Sequence, residues 1–384
     1  MDLNEPLVVA SDVHLEHEGS ERSAERLARL FELHPGYEVL LAGDVFNLSV
    51  DRPSRDPAES VQSIVGRYPA LTAALGRHLA AGHALTLISG NHDAGVLARG
   101  TRERLLALCG VGENARLSIE PWFVRRGGLH VEHGHVYDPD NAPAHPLAAW
   151  SPETEPLGIS LTRRFLSPND AFAFAHAHHT TPLQGLKRTF RTFGARAPWL
   201  VLDYFLTSGR LTAEAAVPER LNAEKARGSA ASAAFAAKNG VTAATLSELL
   251  ERLPRPTHER FGDTFLRLYY DRVLATLGIV AGGARLLAGG LGGGALALAS
   301  ALYLRASLQQ GVDRYSNLPV KRLYAGAELV RAVTGAELVV FGHTHCEDHA
   351  EGYINSASFT YTQRRGSPYL HVAREQTVER RELS

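Results

Sequence analysis

The chain has 384 residues, 45% of them hydrophobic, enough for a substantial core and one or two domains. Its 40 basic and 41 acidic residues balance, which gives no general signal for nucleic acid. Its two cysteines, Cys109 and Cys346, exclude a disulfide framework.

The opening MDLNEPLVVASDVH carries acidic residues where a secretory signal needs a basic region, so a cytoplasmic location is expected. Residues 7–11, LVVAS, form a short buried-strand pattern that ends at Asp12. An apolar stripe of Leu27, Leu30 and Phe31 predicts a helix over 20–34. Strands are expected at 38–42 and 84–89, each followed by a glycine, with helices over 57–80 and 100–109. Further strands fall in 116–132, broken by Gly127 and Gly128. This alternation predicts an α/β layered core. Residues 139–158 are proline-rich and irregular, and 160 to about 333 is mostly helical. Strand character returns at 335–341, 352–361 and 368–373, and the charged end, 374–384, is expected to be exposed. The organisation expected is one α/β domain of residues 1–140 and 335–384, interrupted by a mainly helical insertion, 141–334.

Five clusters follow the strand-like runs: Asp12-Val13-His14, Gly43-Asp44-Val45-Phe46-Asn47, Gly90-Asn91-His92-Asp93, His133-Gly134-His135 and Gly342-His343-Thr344-His345. Ligands of open α/β sheets bind beyond the carboxyl ends of strands, where distant residues meet. Any one cluster alone could be a turn, because Gly, Asp and Asn are turn formers. The ordered set points to metal. Carboxylate and imidazole suit divalent manganese, iron or zinc, and the N-terminal clusters hold no thiolate. Alternation along a strand would turn Asp12 and His14 to one side, and likewise His343 and His345. Two ions roughly 4 Å apart need a bridging group, and the two oxygens of Asp44 suit that role. No phosphate-binding GxxxxGK[ST] loop is present.

The ordered clusters resemble those of the calcineurin-like metallophosphoesterases, whose pattern is DxH, GDxxD or GDxxN, GNHD or GNHE, a later His-Gly, and GHxH. The resemblance covers roughly residues 7–138 and 335–373. It implies two β-sheets flanked by helices in four layers. It implies that Asp12, His14 and His345 hold one ion, that Asn91, His133 and His343 hold another, and that Asp44 bridges. It also implies that His92 protonates the leaving oxygen or stabilises the transition state, that Asp93 orients His92, and that Asn47 assists by hydrogen bonding. The activity implied is hydrolysis of a phosphoric ester by a metal-bound hydroxide at a dinuclear site. A noncatalytic metal-binding scaffold is the competing class. His135, Asp138 and Asn141 are candidates for support of the site or for shaping its loop, and alternation turns Cys346 away from His345.

Within the insertion, Arg163, Arg164, Arg188 and Arg191 could meet phosphate. Residues 286–304 carry no charge, and 273–284 form a second apolar run. Ligands before and after this segment must lie on one side of any membrane, so a single crossing is excluded. A helical hairpin over 273–304, turning near Gly289–Gly294, is expected, either buried or in peripheral contact with a membrane or a lipid-like substrate. That reading brings a distant resemblance to the UDP-2,3-diacylglucosamine hydrolases, and with it a diphosphate hydrolase acting on a nucleotide-linked lipid. The sequence departs from them: His92 follows Asn91 where arginine is typical, His135 follows His-Gly where aspartate is typical, and the insertion is longer. A phosphorylated small molecule or lipid-like substrate is therefore expected, and nucleic acid is not.

Overall fold

Side-chain alternation along the first strand sets the layers. The computed structural model describes residues 5–171, 182–311, 314–315, 318–361, 366–373 and 377–384. In β1 (Leu7–Ala10), Leu7 and Val9 face one side and Val8 and Ala10 the other, and all four are buried. β2 (Glu38–Ala42), β3 (Leu85–Ile88) and β4 (Leu117–Glu120) extend β1 in parallel. β5 (Phe123–Arg126), β6 (Leu129–Glu132), β7 (Leu338–Phe341), β8 (Glu347–Ala350) and β9 (Tyr353–Ser356) form a second sheet in the order β5-β6-β7-β9-β8. β10 (Ser367–Val372) and β11 (Val378–Leu383) return to the first sheet, whose order is β11-β10-β1-β2-β3-β4.

Three apolar clusters account for the four layers. Leu7, Val9, Leu40 and Ala42 of the first sheet pack with Val124, Val131 and Val340 of the second. The opposite face of the first sheet packs Val8, Val39 and Leu87 against helices Glu21–Leu33, Pro57–Arg67, Pro69–Ala80 and Thr101–Leu108. The opposite face of the second sheet packs Phe123, Val339, Phe341 and Tyr353 against helices Asn222–Lys238, Ala243–Arg252 and Leu318–Thr334. The expected α/β sandwich flanked by helices is present.

By its internal contacts the chain divides into two units. One comprises residues 1–159, 219–256 and 320–384, and holds both sheets; the other comprises 160–218 and 257–319. Residues 219–256 and 320–334, expected in the insertion, therefore supply the helical layer of the second sheet.

Some local expectations change. The helix over 57–80 is two helices, because Pro69 cannot continue the hydrogen bonding of the first and instead opens the second. The charged end is largely exposed, as expected, but it is also a strand: Val378–Leu383 pairs antiparallel with β10 along six residues, with Leu383 turned into the core. In the second unit, helices Tyr270–Leu287 and Leu291–Gln309 form the expected hairpin. The chain turns at Gly289, whose φ is +86°, while Gly292, Gly293 and Gly294 lie inside the second helix. Among the described residues no helix is long and apolar enough to cross a membrane.

Candidate metal centre

β1, β2 and β3 end at Ala10, Ala42 and Ile88, and β7 at Phe341, so the clusters lie in the loops beyond. Backbone bonds hold the first two loops together: Asp12 N donates to Gly43 O, His14 N to Asp44 O and Leu15 N to Val45 O. Gly342 N donates to His133 O, which ties the last loop to β6. Asp12, His14, Asp44, His343 and His345 all have positive φ, between +50° and +70°. Non-glycine residues rarely adopt this conformation, and such strain collects at functional sites. Asp12 and His14 are thus not consecutive same-side positions of a strand, as expected, and neither are His343 and His345. Alternate left-handed residues turn their side chains inward instead.

Three glycines make room. A Cβ on Gly43 would overlap the His133 ring, one on Gly90 would overlap Asp44, and one on Gly342 would overlap Ser11 and Asp12.

The side chains converge. His14 Nε2 lies 3.1 Å from His345 Nε2 and 3.9 Å from both Asp12 Oδ1 and Asp44 Oδ2. His345 Nε2 lies 3.1 Å from Asp12 Oδ1. His133 Nε2 lies 3.2 Å from Asp44 Oδ2 and 3.1 Å from Asn91 Oδ1. Two groups have donor atoms close enough to share an ion: Asp12, His14 and His345, and Asp12, Asp44 and His133. Asp12 Oδ1 and Asp44 Oδ2 are buried and receive no hydrogen bond of proper geometry. Two carboxylate oxygens that lack a well-formed hydrogen bond and are ringed by imidazole nitrogens fit divalent cations.

The electrostatics agree. Burial pushes the Asp12 carboxyl up, but the imidazoles of His133 and His345 outweigh it and hold the group at about 2. Burial opposes protonation of His133, but the carboxylates of Asp44 and Asp12 raise it to about 9. Burial keeps His14 well below the usual histidine value, so it is neutral with a lone pair to give.

The family comparison fits this geometry. The model of the calcineurin-like phosphoesterases matches residues 5–208, more than half of the chain. The chain belongs to that family. As a calcineurin-like phosphoesterase it is a metal-dependent hydrolase of phosphoesters. No curated protein matches it. The Gly342–His345 loop lies beyond the matched span, yet His345 shares the first donor group of this phosphoesterase.

The remaining candidates divide. His343 is in neither donor group, and its Nε2 lies 3.1 Å from Asp138 Oδ2. Asp138 also accepts from Asn141 Nδ2 at 2.7 Å, and Asn141 Oδ1 accepts from Asn91 Nδ2 at 3.3 Å. Asp138 and Asn141 thus link two candidate ligands. His135 is buried with Nδ1 unbonded, its ring 5.4 Å from that of His133. His92 Nδ1 lies 3.1 Å from Asn47 Oδ1 and 2.8 Å from Ser49 Oγ. Asp93 does not orient the His92 ring, contrary to expectation. Its Oδ2 accepts from Val45 N at 2.7 Å and Phe46 N at 3.3 Å, and its Oδ1 from Gly90 N at 2.7 Å. Burial and the neighbouring Asp44 push the Asp93 carboxyl up to about 7, against the pull of those backbone donors. Asp93 ties the loop after β2 to the loop after β3.

Sequence reasoning missed Ser49 and Tyr361. The Tyr361 ring lies 5.2 Å from His14 and 5.5 Å from His345, walling one side of the centre. Nothing in its neighbourhood in the sequence marks it. Arg163, Arg164, Arg188 and Arg191 lie in the second unit, where Arg164 pairs with Glu214 at 2.6 Å. Cys346 is a half-buried free thiol.

Proposed function

We propose that this phosphoesterase works with two divalent cations that share Asp44. The observation that carries the proposal is the pair of buried carboxylate oxygens, Asp12 Oδ1 and Asp44 Oδ2, which receive no hydrogen bond of proper geometry and are ringed by imidazole nitrogens. Asp12, His14 and His345 hold one cation. Asn91, His133 and His343 hold the other, with Asp138 Oδ2 fixing the His343 ring through its Nε2 at 3.1 Å. Asp44 Oδ2 stands between His14 and His133, at 3.9 and 3.2 Å, which supports its bridging role. Manganese is the first choice for these donors, with iron or zinc as the alternatives. When bound, such cations activate water as a nucleophile and neutralise charge that develops on the phosphoryl oxygens.

His92 stands at the leaving oxygen, either to transfer a proton there when its ring is protonated or to stabilise the charge of the transition state. Burial keeps it below the usual histidine value, while the Asp44 carboxylate pulls the other way. With Nδ1 directed to Asn47 and Ser49, Nε2 is the nitrogen available for proton transfer. Tyr361 limits access of water on the side of His14 and His345. Substrates are phosphoric esters, whether of a small molecule or of a lipid-like alcohol.

The test is metal analysis joined to turnover on soluble phosphomonoesters, cyclic diesters, nucleoside diphosphate sugars and phospholipid headgroups. Two ions per chain, with hydrolysis that stops on chelation and returns with manganese, is the expected result. Full activity with a single ion per chain would sink the dinuclear reading.

A further inference from the structure

The second unit carries an apolar projection. Helices Tyr270–Leu287 and Leu291–Gln309 pack on one another along a seam of small residues. A Cβ on Gly282 would lie 2.6 Å from Ala297 N and 2.6 Å from Gly293 O, so the two backbones touch. Gly278 makes room for the Ser300 side chain. Such contact leaves few side chains inside the hairpin and turns nearly all of them outward. Leu274, Leu277, Val280, Leu287, Leu298 and Leu302 are each more than half exposed, and Leu287, at the turn, is 91% exposed.

Four features decide what covers this surface. The exposed apolar positions run round both helices rather than along one face, whereas a folded partner, or a second copy of the chain, would cover one side. A helix that is apolar all round needs an apolar surrounding on all sides. Residues 273–304 contain one charge, Arg285. The opposite end is polar and rigid. Arg314 makes a two-pronged contact with Asp271 at 2.9 and 3.0 Å, and Arg272 donates to Ser307 O and Gly311 O, both at 2.9 Å. Arg267 and Arg314 lie over the Tyr315 ring, 4.4 and 5.8 Å from its centre. Arginine and tyrosine at the base of a hairpin whose 273–304 stretch holds a single charge match the headgroup level of a bilayer, with its anionic phosphates and wet-to-apolar gradient.

We propose that the 270–309 hairpin docks this protein on an anionic lipid bilayer, entering one leaflet from the turn end without crossing. Its helices are about 27 Å long at 1.5 Å per residue, and neither is long and apolar enough to span. Arg285, two residues before Leu287, sets a shallow slant, because its long side chain must reach back to the phosphates. The inference stands on the second unit alone and is independent of the metal centre.

Flotation of the full chain with vesicles of phosphatidylcholine and phosphatidylglycerol tests it. Co-flotation is expected, with weaker binding to phosphatidylcholine alone. Leu277→Ser, Leu298→Ser and Leu302→Ser together are expected to lower the bound fraction by at least about tenfold, since each removes a buried leucyl side chain from the lipid. Hydrolysis of a soluble phosphoester by the triple variant reports that its catalytic unit is folded, and circular dichroism reports whether the hairpin helices persist. Co-flotation of a helical triple variant equal to that of the parent overturns the proposal. So does a parent that stays with the soluble fraction. If the parent is a dimer in solution, floats with no vesicle, and the triple variant is a monomer, the covering surface is a second copy instead. Arg285→Gln is expected to reduce the preference for phosphatidylglycerol while leaving flotation detectable.

Discussion

His14 Nε2 and His345 Nε2 stand 3.1 Å apart although 331 positions separate them in the chain. Two imidazoles brought this close, beside Asp12 and Asp44, are held by the sandwich itself: one loop leaves β1 and the other leaves β7. The first consequence concerns metal loading. In the ion-free centre His133 is raised to about 9, so at neutral pH it carries a proton. A cation at its Nε2 must displace that proton. Apparent affinity is therefore expected to rise with pH up to about 9, by about tenfold per unit for one displaced proton. Calorimetric titration in buffers of different ionisation enthalpy measures the proton released, and a pH-independent affinity would refute the assignment. Chelation is also expected to lower the melting temperature, because it strips countercharge from two buried carboxylates.

Asp44→Asn tests the shared ligand. The amide keeps the shape but loses the charge and one of the two acceptor oxygens. Turnover is expected to fall by at least about 10²-fold, and at least one ion should become loosely held. Metal content and activity measured on the same preparation decide it; two tight ions with full activity would remove Asp44 from the bridge.

His92→Ala is expected to lower turnover by roughly 10²–10⁴-fold with metal content unchanged. The loss should shrink for a substrate with a very good leaving group. Asn47→Ala and Ser49→Ala act through His92, and each is expected to cost turnover about tenfold while leaving KM nearly constant. Loss of an ion in the His92 variant would make His92 a ligand.

Much of the site was legible because the clusters are local and each follows an apolar strand. The pattern singles out Asp12, His14, Asp44 and His345, and the family resemblance assigns each its role. The backbone conformation did not follow from it: left-handed residues at Asp12 and His14 are a product of the bonds between the loops after β1 and β2. The partner of His92 was misassigned because Asp93 is adjacent in sequence, whereas backbone donors from two loops claim its oxygens. Tyr361 and the Asp138–His343 contact depend on tertiary placement that no local pattern carries. In the fold, Val378–Leu383 was hidden by its charges, which an edge strand tolerates on its solvent face. The helices at 222–252 and 318–334 were legible as helices, but that they cover the second sheet depends on long-range packing.

Gly90→Ala probes the closeness of β3's end to Asp44. Gly90 has an ordinary backbone conformation, so an added methyl is not strained by φ. Its Cβ would overlap Asp44 Oδ1 and lie 2.5 Å from Asp44 N. Asp44 must shift, and with it the His92 N–H that donates to Oδ1 at 2.8 Å. Activity is expected to fall by more than about 10²-fold, with metal binding weakened. The contrasting site is Gly36, where φ is +84° and a Cβ meets nothing within 4 Å. Gly36→Ala should cost about 1 kcal/mol of stability through backbone strain and leave turnover per folded molecule unchanged.

Asp138→Ala and Asp138→Asn separate position from charge. Asp138 is buried, with Oδ2 3.1 Å from His343 Nε2 and 2.7 Å from Asn141 Nδ2. The His343 contact, the Asn141 bond and an N–H donated by Asp140 outweigh burial and hold its carboxyl at about 2. It is therefore an anion at neutral pH, and its Oδ2 accepts from Nε2 of His343. That leaves Nδ1 as the His343 nitrogen open to a cation. Alanine removes the acceptor, frees the ring and orphans Asn141, so affinity for the second ion should fall by about 10–100-fold, with turnover lost in proportion to occupancy. Saturating metal should then restore much of the activity, because no group that touches the phosphoester has changed. Asparagine keeps an acceptor for His343 and should recover part of the affinity without added metal. Titration of each variant with manganese, reading ions bound and turnover together, checks both. An alanine variant that binds two ions as tightly as the parent would show that Asp138 shapes its loop and does nothing for His343.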